Sequence, residues 1–534
     1  MNMKNKKIII LLLILSLTAF LRLFKLDTIP ASLNWDEIDA GYNAYAIANW
    51  GRDEWDQFLP LVFTSFRDDK HPIHIYSLVP FVKLFGLSDF ITRLPSAIAG
   101  ILSVLVIYYL SQHLFKNYLS SVFAALFLAI SPYHLQFSRG LWESNFALFF
   151  FLLGLLMFYK ALSSNGKLLN ISFLSFGISL LSYHSSKIVV FPLVLLLIIL
   201  YLKDLRKLSI NFYSSLAIFL MFIAILILNP RLTGLARVKQ TQFSQTEIEK
   251  TQAFQKTNNY YLGLGEITLN GVVAHFNPQY LFIQGDQTPR NSVKVYGEFY
   301  KTDALFIVIG LVTLLYLRSK ITLLLFAWLI LAPLPASLVV GAPNANRALF
   351  MLGSMNLIAA LGASNLISLF KGRIKIVALA IVLTVVALQA FLFMKYYFEV
   401  YPKQDPHDWV YGMKQVVEYV KENDDKYDQV FMTDIRSQPY IFFLYYLKYS
   451  LPDFLRRVSY NNEESKTFSA VSYFGKYYFG GWDPIESMPT PGVLYILSPS
   501  QYDGLRHKAL FDVKKTVYYP NGSAAFYMVS TNKL

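Results

Sequence analysis

Three carboxylates stand close together early in the chain, where Asp36, Glu37 and Asp39 occupy three of four positions. They come soon after the first long apolar stretch, which places them at the edge of a bilayer. Carboxylates near a region of low dielectric constant are costly, so they are typically retained for a task. A carboxylate can take a proton from a hydroxyl group as a general base. The competing interpretation is structural, because the helix dipole favours acids in a first helical turn.

Basic and imidazole side chains follow in the same part of the chain. Lys70 and His71 stand before Pro72, and His74 comes three residues after His71. An ammonium group can stabilise negative charge that develops on a phosphate, and an imidazole can donate a hydrogen bond to it. For each histidine, a structural role at the membrane interface is the alternative. The segment therefore holds a candidate base and a candidate phosphate ligand.

The elements that must position these groups are predicted by the hydropathy of the chain. Of the 534 residues, 55% are hydrophobic and 15% are charged, whereas soluble domains have about 25% charged residues. This composition excludes a disordered chain and argues against a soluble enzyme. A helix needs about 17–25 apolar residues to cross a bilayer. Eleven stretches qualify, near 8–25, 94–114, 119–137, 145–162, 168–184, 187–203, 211–229, 303–318, 321–340, 347–368 and 375–395.

The basic residues predict the orientation of these helices. With a cytoplasmic N-terminus, the inward loops carry fourteen basic residues and one acid, which accounts for 13 of the 14 positive net charges. Cytoplasmic loops are typically enriched in lysine and arginine, so the net charge gives no support to a nucleic acid partner. The first stretch lacks a small-residue cleavage pattern and is predicted to be an uncleaved span. The absence of cysteine excludes disulfides and favours a prokaryotic source.

Three long polar segments then lie on the outer side, at 26–93, 230–302 and 396–534. The last segment ends in a hairpin, with a Pro-Asn-Gly turn at 520–522 between two strand-like stretches. We predict a transmembrane domain over 1–395 and an extracytoplasmic α/β domain over 396–534. Further elements predicted in the second domain are a helix at Trp409–Glu422 and strands at Gln429–Thr433 and Val493–Leu497.

Short motifs in the first outer segment form an ordered set. They are Trp35-Asp36-Glu37, Gly41, Gly51, Pro60, Lys70-His71-Pro72, Tyr76, Phe85-Gly86, Arg93-Leu94-Pro95-Ser96-Ala97 and Gly100. This set resembles the first luminal loop of polyprenyl-phosphate-dependent glycosyltransferases of the GT-C fold, which are related to protein O-mannosyltransferases and to the lipid A aminoarabinose transferase. Two positions depart from the family pattern: Lys-Pro-Pro is Lys70-His71-Pro72 here, and Asp39 replaces an arginine that is frequent in the aminoarabinose transferase branch.

The resemblance implies that the acid that opens the loop, Asp36, is the catalytic base. A sugar on a polyprenyl phosphate already carries a good leaving group, so one carboxylate and a few cations suffice for the transfer. Glu37 is predicted to orient the acceptor or to hold the local network. Lys70 is predicted to bind the phosphate, with His71 and His74 as additional donors.

Two further outward groups carry candidate substrate ligands. Ser138-Arg139 is followed by Glu143, which resembles a family segment with an arginine and an acid. Arg139 is predicted to bind phosphate and Glu143 to contact sugar, unless the two residues form a structural pair four positions apart. His184 and Lys187 stand at the next outer end, where they suit sugar hydroxyls or phosphate, although Lys187 can also extend along the membrane interface.

The outer segment 230–302 and the tenth span add three candidates. Asp286 and Arg290 follow a Pro-Gln-Tyr-Leu-Phe stretch that resembles a segment of related bacterial GT-C proteins, and both are secondary site candidates. Arg347 opens the tenth span. An arginine at the membrane edge is a functional hypothesis, with phosphate as its predicted partner and Asp286 or Asp36 as structural alternatives.

Metal dependence has two opposing indications. Asp36, Glu143 and Asp286 could together hold a divalent cation through oxygen ligands, as the oligosaccharyltransferase branch of the fold implies. The O-mannosyltransferase branch implies catalysis without a metal, and no Asp-x-Asp motif occurs in residues 138–146. We therefore expect no catalytic metal and no other cofactor.

The preferred hypothesis is an inverting membrane glycosyltransferase. Its partners are a polyprenyl-phosphate-linked sugar, an acceptor glycan, lipid or protein, and the bilayer of the cell membrane. The alternative is a lipid or sugar transporter or flippase, but transporters place ionisable groups near the midplane, often in repeated halves, and neither feature is seen in the sequence. A non-catalytic scaffold that presents the C-terminal domain leaves the ordered motifs unexplained.

Overall fold

Each of the eleven apolar stretches is largely helical, as expected where every backbone N–H and C=O group has to be satisfied without water. The chain forms two compact units, which are residues 1–24 with 96–396 (the first unit) and 25–95 with 397–534 (the second unit). The computed structural model describes residues 3–66, 68–234, 238, 240–436, 438–461, 471–481 and 489–531.

The helices up to residue 228 are α1 (Met3–Leu23), α2 (Trp35–Trp50), α3 (Pro72–Phe85), α4 (Asp89–Phe115), α5 (Tyr118–Ile130), α6 (Pro132–Arg139), α7 (Glu143–Ser163), α8 (Leu168–Leu180), α9 (His184–Lys207) and α10 (Ile210–Leu228). The middle of the chain adds α11 (Gln245–Glu249), α12 (Gln252–Thr257), α13 (Tyr260–His275), α14 (Lys301–Leu317), α15 (Lys320–Leu331), α16 (Leu334–Ser337), α17 (Met351–Ser368) and α18 (Gly372–Glu399). The last helices are α19 (Tyr401–Gln404), α20 (Met413–Glu422), α21 (Pro439–Tyr446), α22 (Leu451–Arg457) and α23 (Pro499–Asp503).

Within the described part of the chain, seven helices are long and apolar enough to cross a membrane, or eight if the bent pair α5–α6 is one span. The predicted count of eleven is not confirmed. Helix α8 has 13 residues, fewer than the about 17–25 that a span needs, and α14 has 17, at the lower limit of that range. The bend between α5 and α6 is 55°, and it falls at Ser131-Pro132, because proline lacks the N–H that would continue the helix.

Helices α14 and α17 of the first unit approach each other at two glycines. A Cβ atom at Gly310 would overlap the carbonyl oxygen of Ile358, and one at Gly362 would overlap the carbonyl oxygen of Phe306. Small residues that allow this approach are typical of membrane helix pairs, where dispersion contacts replace the hydrophobic effect.

In the second unit, α2 packs against α21 of the C-terminal segment. A Cβ atom at Gly41 would lie 2.5 Å from the ring of Tyr445, and the Tyr445 hydroxyl is 2.6 Å from Oγ1 of Thr92. The hydroxyl of Tyr42 donates to the carbonyl of Tyr449 at 3.1 Å. Residues 26–93, predicted to be the first outer loop of the transmembrane domain, thus belong to the same compact unit as the C-terminal segment.

The second unit contains two sheets. Strands β1 (Phe63–Ser65) and β2 (Asp68–Lys70) form an antiparallel hairpin. The larger sheet has seven strands in the order β4-β5-β6-β3-β7-β9-β8, with β3 parallel to both neighbours. Its strands are β3 (Gln429–Thr433), β4 (Val458–Tyr460), β5 (Val471–Phe474), β6 (Tyr477–Gly480), β7 (Val493–Leu497), β8 (Asp512–Tyr518) and β9 (Ala524–Ser530).

The predicted α/β character of the C-terminal segment is confirmed. The strands predicted at 429–433 and 493–497 are β3 and β7, and the predicted hairpin is the antiparallel pair β8–β9. The helix predicted from Trp409 begins later, at Met413, because the preceding Gly412 has a left-handed φ of 106° that cannot continue a right-handed helix. Phe443 of α21 covers the sheet, with its ring 5.2 Å from that of Tyr477.

Candidate active site

The first turn of α2 carries the predicted base, and Asn34 fixes where that helix begins. The side-chain oxygen of Asn34 accepts hydrogen bonds from the N–H groups of Asp36 at 2.9 Å and Glu37 at 3.2 Å. In return, the Glu37 carboxylate accepts from the N–H of Asn34 at 3.0 Å. This reciprocal cap satisfies backbone donors that a helix start leaves without partners. It places the side chain of Asp36 at the N-terminal end of the helix.

Asp36 and Lys70 form an ion pair. Oδ1 of Asp36 lies 3.0 Å from Nζ of Lys70, and the two side chains are 36% and 21% exposed. Lys70 ends the β1–β2 hairpin, where it faces Phe63, and its Nζ is also 3.5 Å from Oδ2 of Asp68. The geometry thus brings the predicted base and the predicted phosphate ligand into contact. Both side chains retain access to solvent, so a substrate can reach them.

Glu37 points away from solvent into a buried ion pair with Arg93. The guanidinium group donates to both carboxylate oxygens, at 2.9 Å from Nε and 3.1 Å from Nη2. It also donates to the carbonyls of Leu26, Pro30 and Ser32. All five N–H groups of the guanidinium are therefore used. Of the two roles predicted for Glu37, these contacts support the one of holding the local network.

A pair of buried acids lies beside Lys70, formed by Asp39 and Glu54. Both residues are almost fully buried, and their side chains are hydrogen-bonded to each other. Burial raises the pKa of Asp39 to about 7, although the Lys70 ammonium group opposes the shift. Burial, and then the charge of Asp39, raise the pKa of Glu54 well above its usual range. Both carboxyl groups of the pair therefore favour the protonated form more than free carboxyl groups do.

Asn43 and Tyr440 complete the surroundings of this buried pair. The amide of Asn43 donates to Asp39 at 3.3 Å and accepts from the N–H of Glu54 at 2.9 Å. The hydroxyl of Tyr440 donates to Glu54 at 3.4 Å. The sequence patterns indicate Asp39 as one of three clustered carboxylates and as a departure from the family pattern, but they do not indicate Glu54. The available signal was a second acidic stretch, Asp53-Glu54, in the same outer segment.

The two histidines near Lys70 are buried. His71 precedes α3 in extended conformation, as its cap residue. Burial and the neighbouring Lys70 lower the pKa of His74 to about 3, so its imidazole is uncharged at neutral pH. A neutral imidazole can donate one hydrogen bond but adds no positive charge for a phosphate. The phosphate role of His71 stays a prediction.

In the first unit, Arg139 and Arg22 each close the end of another helix. Arg139 donates to the carbonyls of Leu21 at 2.6 Å and Phe24 at 2.9 Å, at the end of α1. Arg22 of α1 donates to the carbonyls of Leu128 and Ala129 at the end of α5. Both arginines are fully buried. Cations at helix C-termini stabilise carbonyls that lack helical partners, so the contacts of Arg139 support a structural role over the predicted phosphate role.

Glu143 and His184 begin two neighbouring helices of the first unit, α7 and α9. Glu143 attracts the charge of Lys187, whose ammonium group donates to the carbonyl of Tyr183 at 3.2 Å. A Cβ atom at Gly234 would overlap the His184 ring. The structure thus brings Glu143 and Lys187 together, and the sugar and phosphate roles of Glu143 and His184 stay predictions.

Asp286 is buried in the outer segment 230–302 and connects two parts of the chain. Its carboxylate accepts from the N–H of Thr288 at 2.8 Å, the amide of Asn291 at 2.9 Å and the N–H of Ala345 at 2.7 Å. These bonds join its own turn to the segment before α17. Asp286 therefore supports the local chain conformation, as buried carboxylates with full hydrogen bonding do.

Arg290 and Arg347 are both half-buried. The carbonyl of Arg290 accepts from the amide of Gln136 at 2.7 Å. The guanidinium of Arg347 donates to the carbonyl of Val340 at 3.0 Å, and its N–H donates to Asn344. Their predicted phosphate contacts stay predictions.

The predicted site residues fall into two groups. Asp36, Glu37, Lys70 and His71 lie in the second unit, and the other six candidates lie in the first. Across the described residues, no group of three His, Asp or Glu side chains is arranged to hold a metal ion.

Part of the chain matches a known protein family. Residues 69–228 match the family model of dolichyl-phosphate-mannose-protein mannosyltransferase. No curated protein sequence matches the chain.

Solved structures resemble the whole chain. ArnT from Cupriavidus metallidurans in the apo state has a TM-score of 0.57 at 12% identity, over 99% of this chain and 98% of that one. The same protein bound to undecaprenyl phosphate has a TM-score of 0.58 at 13% identity, over 97% of each chain. An Archaeoglobus fulgidus oligosaccharyltransferase tethered with an acceptor peptide has a TM-score of 0.53 at 14% identity, over 98% of this chain and 74% of that one. The structural matches show that the chain has the GT-C fold, as predicted, and residues 69–228 are similar to the mannosyltransferase family.

Proposed function

We propose that the protein is a membrane glycosyltransferase that moves a sugar from a polyprenyl-phosphate carrier to an acceptor hydroxyl group. The observation that carries the proposal is the solvent-accessible ion pair of Asp36 and Lys70, at 3.0 Å. It supplies a carboxylate for the acceptor and an ammonium group for the phosphate. Sugar transfer needs both groups, because the acceptor hydroxyl loses a proton while the phosphate leaves with additional negative charge.

In the proposed reaction, Asp36 takes the proton of the acceptor hydroxyl as its oxygen attacks the anomeric carbon of the donor sugar. A new bond forms between that oxygen and the anomeric carbon, and the bond from the anomeric carbon to the phosphate oxygen breaks. The electron pair leaves with the polyprenyl phosphate, whose increased charge Lys70 stabilises. A single displacement of this kind inverts the configuration of the anomeric carbon.

The buried ion pair of Glu37 and Arg93 supports the assignment of Asp36 as the base, because it holds the start of α2 in place. Because Arg93 also holds the carbonyls of Leu26, Pro30 and Ser32, it fixes the chain that leads into α2. Precise placement of a reacting group can supply several kcal/mol of the barrier reduction. Glu37 and Arg93 are therefore positioning residues for Asp36.

The relatives support the class of donor. ArnT has been solved with undecaprenyl phosphate, and the matching family is described by its dolichyl-phosphate-mannose donor. We propose a polyprenyl-phosphate hexose or pentose as the donor of this chain. Its partners are the bilayer and an acceptor that is a glycan, lipid or protein on the extracytoplasmic face of a prokaryotic cell membrane. No cofactor is required by the proposed steps.

The test is sugar transfer in membranes that contain the protein and radiolabelled polyprenyl-phosphate sugars. We expect Asp36→Asn to abolish transfer, because the amide cannot accept the proton. Asp56→Asn is the matched control: Asp56 lies in the same outer segment, is 57% exposed and pairs with Arg52. It should transfer as the wild type does.

Two outcomes would contradict the proposal. Undiminished transfer by Asp36→Asn would remove Asp36 as the base. If the wild type transfers no sugar from any monophosphate donor while it moves labelled lipid across the bilayer, the transporter alternative is supported instead.

A further inference from the structure

Arg436 of the second unit packs against two aromatic rings. Its guanidinium carbon lies 4.4 Å from the centre of the Phe526 ring and 5.3 Å from that of the Tyr519 ring. Its Nη1 donates to the Tyr519 hydroxyl. Phe526 is fully buried, so the guanidinium group is held against the core. Burial lowers the pKa of Arg436, because its charge has lost part of its hydration.

The positive charge of Arg436 has no carboxylate partner within the described part of the chain. The described group whose charge acts on it is the phenol of Tyr519, which is neutral at pH 7. Asp408 acts on Tyr519 but not on Arg436. Among the same residues, Nε and Nη2 of Arg436 have no hydrogen-bond partner, and the side chain is only half-buried. The N–H groups of these two nitrogens form the fork that matches two oxygens of a carboxylate or phosphate.

Arg436 also lies at a position of the sheet where ligands are expected. Strand β3 ends at Thr433, three residues before Arg436, and it is parallel to β6 on one side and to β7 on the other. Both neighbours come later in the chain, so the strand order reverses at β3. Open α/β sheets bind ligands outside the carboxyl ends of their strands at such a point.

Two more aromatic side chains lie beside Tyr519. The centres of the Tyr411 and His407 rings are 6.3 and 6.5 Å from that of Tyr519, and Tyr411 is half-buried whereas His407 is exposed. The face of an aromatic ring packs well against the apolar C–H face of a sugar, because both surfaces leave water in the contact. A cation among such rings suits a sugar that carries a negative charge.

We propose that Arg436, Tyr519 and Tyr411 form an acidic-sugar site, which binds the carboxylate or phosphate of an acceptor glycan through Nε and Nη2 of Arg436. This inference rests on the proposed function, since it selects an acidic glycan among the acceptors considered there. No covalent bond changes at this site. Its task is to hold the acceptor, while Asp36 takes the proton of the reacting hydroxyl group.

The loop before α20 joins the acidic-sugar site to Arg93, which holds the start of α2. Trp409 is 1% exposed, and its ring lies 5.7 Å from the guanidinium carbon of Arg93. Tyr411 follows two residues later. Between them, Val410 has a left-handed φ of 53°, which is strained for a β-branched residue and is typical of functional segments. One short loop therefore contacts both the acidic-sugar site and the arginine behind the proposed base.

The test uses the full-length protein in nanodiscs and an array of bacterial envelope glycans. Each acidic glycan is paired with its carboxyl-reduced or dephosphorylated form, so that the pair differs only in the charged group. We expect the wild type to bind acidic glycans about tenfold or more tightly than the neutral forms, because two charge-assisted hydrogen bonds are lost with the charge. This comparison needs no variant, so it stands even if substitutions prevent folding.

Variants assign the preference to Arg436. Arg436→Gln should remove the preference for acidic over neutral forms, whereas Tyr411→Ala should weaken the binding of both. The matched control is Arg456→Gln in α22, because Arg456 is an exposed arginine of the same unit that pairs with Asp453. It should bind as the wild type does. A purely structural role of Arg436 would lower the unfolding midpoint of Arg436→Gln and leave its preference for acidic glycans unchanged.

The outcomes separate this inference from the proposed function. Failure of the wild type to bind any acidic glycan, or equal binding of the neutral forms, overturns the inference, and so does an unchanged preference in Arg436→Gln. If membranes transfer labelled sugar to a product that an anion exchanger does not retain, the inference fails and the proposed function stands. If acidic glycans bind through Arg436 but no lipid-linked donor supports transfer, the proposed function fails and the acidic-sugar site stands.

Discussion

Arg93 and Glu37, 56 positions apart in the chain, form a two-bond ion pair with their side chains 0% and 1% exposed. Buried ion pairs of this kind contribute little as a pair, but they are costly to break, because the remaining charge is left in a low-dielectric environment. The pair thus makes the start of α2 depend on a residue at the start of α4.

Loss of either partner should destabilise the protein, and loss of Arg93 more so. Glu37→Gln leaves one buried charge without its partner, at a cost of about 3–5 kcal/mol. Arg93→Met leaves the Glu37 charge and also three carbonyls without a donor. We expect a lower midpoint temperature of unfolding in detergent for Arg93→Met than for Glu37→Gln. Equal midpoints would mean that the carbonyl bonds contribute nothing.

Replacement of Lys70 should lower the kcat of sugar transfer. Lys70→Met removes the ammonium group that stabilises the leaving phosphate, and loss of one such group typically reduces kcat by about 10²–10³. The matched control is Lys83→Met in α3, because Lys83 donates to the carbonyl of Ala48 in the same unit and has no role in the proposed reaction. Initial rates of sugar transfer give kcat for both variants. A kcat for Lys70→Met within a factor of two of the wild type would exclude Lys70 from the reaction.

Replacement of Arg139 should lower the stability of the protein and leave donor binding unchanged. Arg139→Gln loses charge-assisted bonds to the carbonyls of Leu21 and Phe24, worth about 1.5–3 kcal/mol each. We expect a lower unfolding midpoint, with an unchanged KM for the donor in the folded fraction. A raised KM with unchanged stability would restore the phosphate role that its sequence context predicts.

Asp39 should make stability depend on pH. Its pKa is raised from 3.8 to about 7, so between these values the folded protein binds a proton that the unfolded chain has lost. Stability therefore falls as pH rises through this window, on the order of 1.4 kcal/mol per pH unit. Asp39→Asn removes this effect. We expect its unfolding midpoint, relative to the wild type, to be higher at pH 8 than at pH 5; the reverse order would contradict the raised pKa.

The helices were predictable from sequence because hydropathy is a local property. Each apolar stretch has enough information in its own residues to form a helix, and the same holds for the hairpin β8–β9, whose turn residues lie between its strands. The bend at Pro132 and the short α8 altered the number of spans, because kinks and helix length depend on packing as well as on composition.

The site was only partly predictable, because many of its contacts join residues that are far apart in the chain. Asp36 and Lys70 carry family motifs and do lie together. The roles of Arg139 and Asp286 depend on backbone partners far away in the chain, such as Leu21 for Arg139 and Ala345 for Asp286. Spacing along a sequence does not contain such contacts. The raised pKa of Glu54 follows from burial beside Asp39, and no residue pattern displays that burial.

The packing of Tyr445 against Gly41 has a consequence for biosynthesis. The two segments that form the second unit are separated by about 300 residues of the first unit. At a translation rate of about 5–20 residues per second, the ribosome needs roughly 15–60 s to make that intervening chain. Helix α2 with Asp36 is therefore synthesised long before α21, against which it packs. The second unit, which holds the proposed base, can therefore be completed only after the residues of α21 have been translated.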